Sequence, residues 1–209
     1  LEIKRDYIDH LNKSWGHTIY SIGLTSDFRL KPFETVEAHT EVLSKVLKEA
    51  KYDSFLYLSS TRVYFGAECT KESSNIKVNP TNKSDIYNIS KLLGEALCLN
   101  INKPTIRVAR LSNVVDASDN SDNFVSSLIK EALAGEIILR SDPKSAKDYI
   151  SLNDALDVLI KKSLHGNSRI YNVASGKLSE HIQWIDKIKS AITCKVKILE
   201  NAPKQIHNK

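Results

Sequence analysis

A doubly wound α/β fold built on a parallel sheet is predicted by three observations. Short apolar runs alternate with amphipathic stretches along the whole chain, as strands alternate with helices. The core of Ser54–Leu58 and its kind is apolar on both faces, which suits strands covered by helices on each side. No internal repeat or low-complexity linker interrupts the alternation, so the 209 residues read as one unit, long enough to bury a core.

The elements follow in order. His17–Leu24 (HTIYSIGL) reads as a strand, and Phe33–Tyr52 as a helix in which Val36, Leu43, Val46, Leu47 and Ala50 share a face. Ser54–Leu58 is the next strand, with Ser59 and Ser60 marking its end. A polar loop runs to Asn79-Pro80-Thr81, where the proline disfavours a helix through Asn79. Asp85–Asn100 reads as a helix with Ser84 or Asp85 at the N-cap and a buried stripe of Ile89, Leu92, Leu93, Ala96 and Leu97. Thr105–Leu111 is a strand, and Phe124–Ala134 a helix that Gly135 can end. Extended pieces at Ile137–Arg140 and Asp148–Ile150 precede a helix at Asn153–Leu164. A strand at Arg169–Val173, a helix near Ser179–Ala191 and a strand near Val196–Leu199 complete the pattern.

Composition narrows the function classes. Hydrophobic content of 41% and charged content of 26% are ordinary for a soluble globular protein. No apolar run approaches the roughly 20 residues that span a bilayer, so no membrane partner is expected. Cys69, Cys98 and Cys194 are an odd, widely spaced set, which fits reduced thiols and a cytoplasmic setting better than disulfides or a zinc site. The net charge of +5 comes from scattered lysines. It would suit an anionic substrate, but with no basic stripe or binding motif it does not point to nucleic acid.

In an open parallel sheet, ligands gather beyond the carboxyl ends of the strands. That places Gly23, Ser59-Ser60-Thr61, Ser112-Asn113 and Ala174-Ser175-Gly176 where chemistry can occur. Of the eight tyrosines, only Tyr87 has a lysine four residues on, Lys91, and residues so spaced on a helix are neighbours. An ammonium beside a phenol favours the phenolate and makes the tyrosine a usable acid and base. A hydroxyl such as that of Thr61 can hold a substrate oxygen against it. By itself such a pair is expected about once by chance; the strand-end hydroxyls and the helical spacing give it weight.

With these residues in view, the sequence resembles the extended short-chain dehydrogenase/reductase family, in its NAD-dependent epimerase/dehydratase branch. Leu56–Tyr64 (LYLSSTRVY) resembles the family's strand and serine/threonine segment, and Tyr87–Lys91 its YxxxK motif, followed by Gly94-Glu95. Val108–Val114 (VARLSNV), Lys147–Asp154 (KDYISLND) and Tyr171–Gly176 (YNVASG) resemble later family segments in the family's order. The resemblance implies a Rossmann-type fold with a smaller substrate-binding part. Residues of about 1–115 and 145–175 would form the former, and about 116–144 and 176–209 the latter.

It also implies roles. Thr61 would orient the substrate, Tyr87 would be the general acid/base, and Lys91 would activate the tyrosine and bind the nicotinamide ribose. NAD or NADP is the implied cofactor, NAD before NADP, with Gly23, Ser59 and Ser60 beside it. Gly23 reads equally as close packing and Ser59 as a buried hydroxyl satisfied by backbone. Arg62 and Asn113 would face a nucleotide-sugar substrate, though Asn113 reads as readily as a turn residue. Asp148 is expected to pair locally. The two long helices could pair with their mates in a homodimer.

Departures matter too. No glycine-rich dinucleotide turn occurs, so by resemblance the chain begins just before the fourth strand and is expected to be an incomplete unit. Arg62-Val63 stand where the family's 4,6-dehydratases carry an acidic pair, which favours epimerisation or oxidoreduction over loss of water. The implied activity is epimerisation of a nucleotide sugar. The alternatives are NADPH-dependent reduction of a keto-sugar or other carbonyl, or a non-catalytic structural role.

Overall fold

A computed structural model describes residues 10–24, 27–116 and 123–200. The chain divides into two compact units: Leu1–Leu111 with Asn153–Val173, and Ser112–Leu152 with Ala174–Lys209. The resemblance implies 1–115 with 145–175 and 116–144 with 176–209, whereas residues 112–115, 145–152 and 174–175 cluster with the second unit. Residues 117–122, in the segment expected to bind substrate, lie outside the described residues.

The larger unit is a parallel sheet of β1 (His17–Tyr20), β2 (Ser54–Ser60), β3 (Ile106–Leu111) and β7 (Ile170–Val173), in the order β1-β2-β3-β7. Register runs from Phe55 opposite Ile106 to Ser60 opposite Leu111. Phe55, Leu56 and Tyr57 are fully buried, as a central strand covered on both faces requires. The doubly wound α/β expectation is therefore met in the connectivity of these strands. Leu43, Val46, Phe55, Tyr57, Cys98, Ile106 and Val108 form its main core.

Three helical segments replace the single helix expected over Phe33–Tyr52. They are α1 (Pro32–Val36), a π-helical turn at Glu37–Glu41 and α2 (Val42–Glu49). The wide turn shifts the helix phase, so Thr35, Ala38, His39 and Thr40 are buried before Leu43 and Val46 take over. The first strand ends at Tyr20, four residues earlier than its apolar pattern suggests.

The helix α3 spans Asp85–Asn100, as read from the sequence, but it turns an unexpected face inward. Tyr87, Asn88, Ser90, Lys91, Gly94, Glu95 and Cys98 are buried, while Leu93 is 50% exposed. The stripe Ile89-Leu93-Ala96 lies toward the outside. Neither proposed N-cap works as one: Ser84 makes no capping bond, and the Asp85 carboxylate accepts the Asn79 N–H at 2.8 Å.

In the smaller unit, β4 (Asn113–Val115) pairs with β6 (Ala146–Ser151), and β6 with β8 (Leu178–Glu180). A second sheet pairs β5 (Glu136–Leu139) with β9 (Lys195–Ile198). The helices α4 (Phe124–Leu133) and α6 (His181–Ala191) close a core of Leu128, Ala132, Ile137, Leu139, Ile185 and Ile188. The side chain of Asn123 caps α4, and Gly135, at φ 99°, ends it as expected. A Glu180/Gln183 capping box starts α6. The remaining helix, α5 (Leu152–His165), precedes β7.

Candidate active site

The site grows from the end of β2. Its last two residues are serines, and both reach α3. The Ser59 hydroxyl donates to Glu95 Oε1. Ser60 caps a 3₁₀ turn over Thr61–Tyr64 by accepting the Arg62 N–H at 3.2 Å, and its hydroxyl lies near enough to the Tyr87 phenol to pull the phenol pKa down. Thr61 points elsewhere: its Oγ1 lies 3.5 Å from the Leu111 carbonyl, a long and weak contact. The Ser60 hydroxyl acts on the phenol here, while Thr61, the substrate-orienting hydroxyl of the sequence reading, lies toward the Leu111 carbonyl.

Tyr87 is 7% exposed. Its ring packs on Phe28 at 5.1 Å between centroids and meets His39 edge-on at 5.2 Å. Burial pushes its pKa above the usual phenol value, while the Ser60 hydroxyl and the Arg62 charge pull it down. The resting phenol is thus protonated at neutral pH. The cation that acts on it is Arg62.

Lys91 is buried one turn further along α3. Its Nζ donates to the Leu58 carbonyl at 2.9 Å and lies 5.1 Å from the Tyr57 ring centroid and 5.9 Å from that of Tyr87. Burial lowers its pKa to about 8, against the pull of the Glu95 carboxylate. Two of its three N–H bonds remain for a ligand.

Gly23 is exposed and lies between Lys91 and His39. A Cβ built there would come 3.0 Å from His39 Nε2 and 3.4 Å from Lys91 Nζ. His39 was not singled out from the sequence, where a lone histidine in an amphipathic helix carries no signal. In the structure it is fully buried. The Ser90 hydroxyl donates to the Tyr87 carbonyl at 3.0 Å, so at the 2.9 Å contact with His39 the ring Nδ1–H must be the donor. Nε2 is left as the unprotonated nitrogen, with no hydrogen-bond partner. Burial, then the Lys91 charge, push the histidine pKa down to about 3 against a backbone contact with Leu24, so the ring stays neutral.

Glu95, which follows Gly94, anchors a second network beneath the site. Arg110 grips it with Nε at 3.0 Å from Oε1 and Nη2 at 2.6 Å from Oε2. The guanidinium also donates to the Tyr64 hydroxyl at 2.7 Å, and that hydroxyl to Asn172 Oδ1 at 2.9 Å. Gly94 has its own reason: a Cβ there would collide with the Tyr57 hydroxyl and the His39 carbonyl.

The sequence comparison aligns residues 21–174 with the NAD dependent epimerase/dehydratase family. The chain belongs to that family. Similar folds are found in an NAD-dependent NDP-hexosamine 5,6-dehydratase of tunicamycin biosynthesis (TM-score 0.77, 16% identity, 91% of this chain and 65% of that one). Others are RMD of Pseudomonas aeruginosa complexed with NADPH (0.73, 22%, 91% and 71%) and a UDP-glucuronic acid 4-epimerase of Bacillus cereus with UDP-glucuronic acid and NAD (0.68, 20%, 88% and 60%). At these identities the likeness concerns the fold, and the chain spans 60–71% of the length of these structures. No curated protein matches the sequence significantly.

Within this family member, the remaining expected residues fall in two places. Arg62 sits in the larger unit, on the 3₁₀ turn beside Tyr87. Asn113 opens β4 in the smaller unit, where its exposed side chain donates to the Asp148 carbonyl at 2.9 Å. The Asp148 carboxylate accepts the Ser175 and Lys177 N–H groups at 2.9 and 3.0 Å, the local pairing read from the sequence. Among the described residues no cluster of metal-ligating side chains occurs, and no helix is long and apolar enough to cross a membrane.

Proposed function

We propose that the chain is the proton-transferring part of an NAD(P)-dependent epimerase acting on a nucleotide sugar. The observation that carries this reading is the group Ser60, Tyr87 and Lys91, in which the serine hydroxyl lowers the phenol pKa and the ammonium lies 5.9 Å from the phenol ring. The residues present fit a nicotinamide dinucleotide: Lys91 keeps two donors free, and the absence of a side chain at Gly23 spares the ammonium a Cβ that would come within 3.4 Å of Nζ. When bound, the dinucleotide supplies a hydride acceptor and donor. Lys91 would hold the ribose hydroxyls, with Gly23 beside them.

The protein's own part is the proton. Ser60 Oγ and Tyr87 Oη would share the sugar hydroxyl, Ser60 fixing its direction. Once the phenol has released its own proton to solvent, the phenolate of Tyr87 would take the proton as that hydroxyl becomes a carbonyl and return it when the carbonyl is reduced on its other face. The charge on Arg62 stabilises the transient phenolate. Thr61 and Arg62 follow Ser60, so no carboxylate stands beside the phenol on this turn, and loss of water has no acid or base there. This argues for epimerisation. NAD is the expected cofactor, because an epimerase returns the hydride it takes.

One observation favours a second reading. A phenol whose resting form is protonated is ready to donate, as reduction of a keto-sugar by NADPH requires. The test uses the full-length protein with NAD or NADPH and a panel of nucleotide sugars. Formation of an epimer without net consumption of cofactor supports the first reading, and stoichiometric loss of NADPH supports the second. If neither dinucleotide binds or raises the melting temperature, both enzyme readings fail and a structural role remains.

A homodimer is the expected assembly. The groove between α2 and α3 is lined by Thr40, Ser44, Lys48, Leu93 and Leu97, and Phe33 of α1 is 86% exposed. Leu93, Leu97 and Phe33 are the apolar side chains there, on the helices that the family resemblance assigns to a shared interface, and Glu41, Lys45, Lys48 and Glu49 make the rest of the groove charged. Light scattering at micromolar concentration showing a monomer overturns it.

A further inference from the structure

We propose that Arg62 and Arg29 form an oxyanion subsite beside Tyr87, which receives a negatively charged group of the sugar substrate. The inference rests on the reading that Tyr87 works on a nucleotide sugar, and it specifies that substrate. Both guanidinium groups lie on one ring: Arg29 Cζ is 4.5 Å and Arg62 Cζ 5.3 Å from the Phe28 centroid, and Phe28 packs on Tyr87. A second ring, Phe65, lies 5.9 Å from Arg62 Cζ, so the guanidinium is fixed between two aromatic faces.

Among the described residues, neither of these two like charges has an ion-pair partner. Arg62 Nε is buried and makes no hydrogen bond. The nearest carboxylate, that of Asp85, is turned to the Asn79 N–H and the Asn88 amide. Arg29 donates from Nε to the Ser84 hydroxyl at 3.0 Å, which neutralises nothing. Crowding two cations is unfavourable unless an anion joins them. A guanidinium presents paired donors that match the two oxygens of a carboxylate or phosphate. Because Phe28, which carries both guanidinium groups, packs on Tyr87 at 5.1 Å, that anion belongs to a molecule whose reacting hydroxyl is at Tyr87.

The anion has two possible sources in one substrate: a carboxylate on the sugar, or the diphosphate that carries it. The test is calorimetric titration of the full-length protein, loaded with NAD, with UDP, UDP-glucose and UDP-glucuronate. Arg62→Gln and Arg29→Gln are compared with the unaltered protein. Arg62→Gln is expected to weaken binding by about tenfold or more. Loss confined to UDP-glucuronate identifies the carboxylate, and equal loss for all three ligands identifies the diphosphate. Arg29 is exposed, so its variant folds whatever the fate of Arg62, and a smaller loss in the same pattern is expected. Unchanged affinities in both variants overturn the subsite and leave the epimerase reading intact. An unaltered protein that binds NAD but none of the three uridine ligands overturns the nucleotide-sugar reading, and the subsite with it.

Discussion

His39 closes so tightly on Gly23 that a methyl group on the glycine would lie 3.0 Å from the imidazole Nε2. The contact predicts an interaction between two positions far apart in sequence. Gly23→Ala should cost about 1–3 kcal/mol by overpacking. Removing the ring with His39→Ala should return most of that cost in the double variant. Urea unfolding of the two single variants and the double variant measures the coupling. Additive losses would show that the ring simply moves aside.

The adjacent hydroxyls Ser60 and Thr61 separate by kinetics. Ser60→Ala should lower kcat by about 10²-fold, since it removes the hydroxyl that pulls the phenol pKa down. Thr61→Val should change kcat less than about threefold, because Oγ1 makes only the 3.5 Å contact to Leu111. Steady-state assays on full-length variants decide it, and a larger effect of Thr61→Val would restore that residue to the relay.

Lys91 makes stability depend on pH. Its folded pKa of about 8 lies below the roughly 10.4 of an unfolded lysine. Between these values the unfolded chain holds a proton that the folded chain has released, so this contribution raises stability as pH climbs from 8 to 10.4. Below pH 8 the burial penalty is present in full. Lys91→Met lacks the ion, and its stability relative to the parent protein should fall by about 2 kcal/mol between pH 7 and pH 10. Chemical unfolding of both proteins at the two pH values checks the sign.

The ion pair of Glu95 and Arg110 is nearly sealed, with side chains 3% and 5% exposed. Glu95→Ala would strand the guanidinium in the core and should cost about 3–5 kcal/mol. Replacing both partners with apolar residues of similar volume should cost less than either single change. Thermal unfolding compares the three variants, and a larger loss in the double variant would contradict this account.

Much of the fold can be read from the sequence, because its helices and buried strands carry strong periodicities. The Asp85–Asn100 helix and the core of β2 are clear in that way. The three-residue strands β4 and β8 are too short to show a period of two. The π-helical turn at Glu37–Glu41 is also silent, since any helical pattern accommodates one extra residue. The inward face of α3 misleads for a chemical reason. Its buried residues include Lys91, Glu95, Asn88 and Ser90, whereas an apolar stripe is ordinarily the sign of burial. In the site, the Tyr87/Lys91 spacing is visible directly. The choice between Ser60 and Thr61 depends on where the strand turns into the 3₁₀ helix, and His39 acquires meaning only when Gly23 is brought against it.

Ser59 hydrogen-bonds Glu95 and Ser60 acts on Tyr87, eight positions apart on one helix. Two successive rivets on the sheet therefore fix both the sliding and the rolling of α3. Inserting one residue between Tyr87 and Glu95 would rotate one attachment by about 100° relative to the other. Only one of the two could then be made. Length variation among natural variants of this chain should therefore accumulate in the 65–83 segment ahead of the helix, where it leaves both fastenings in register.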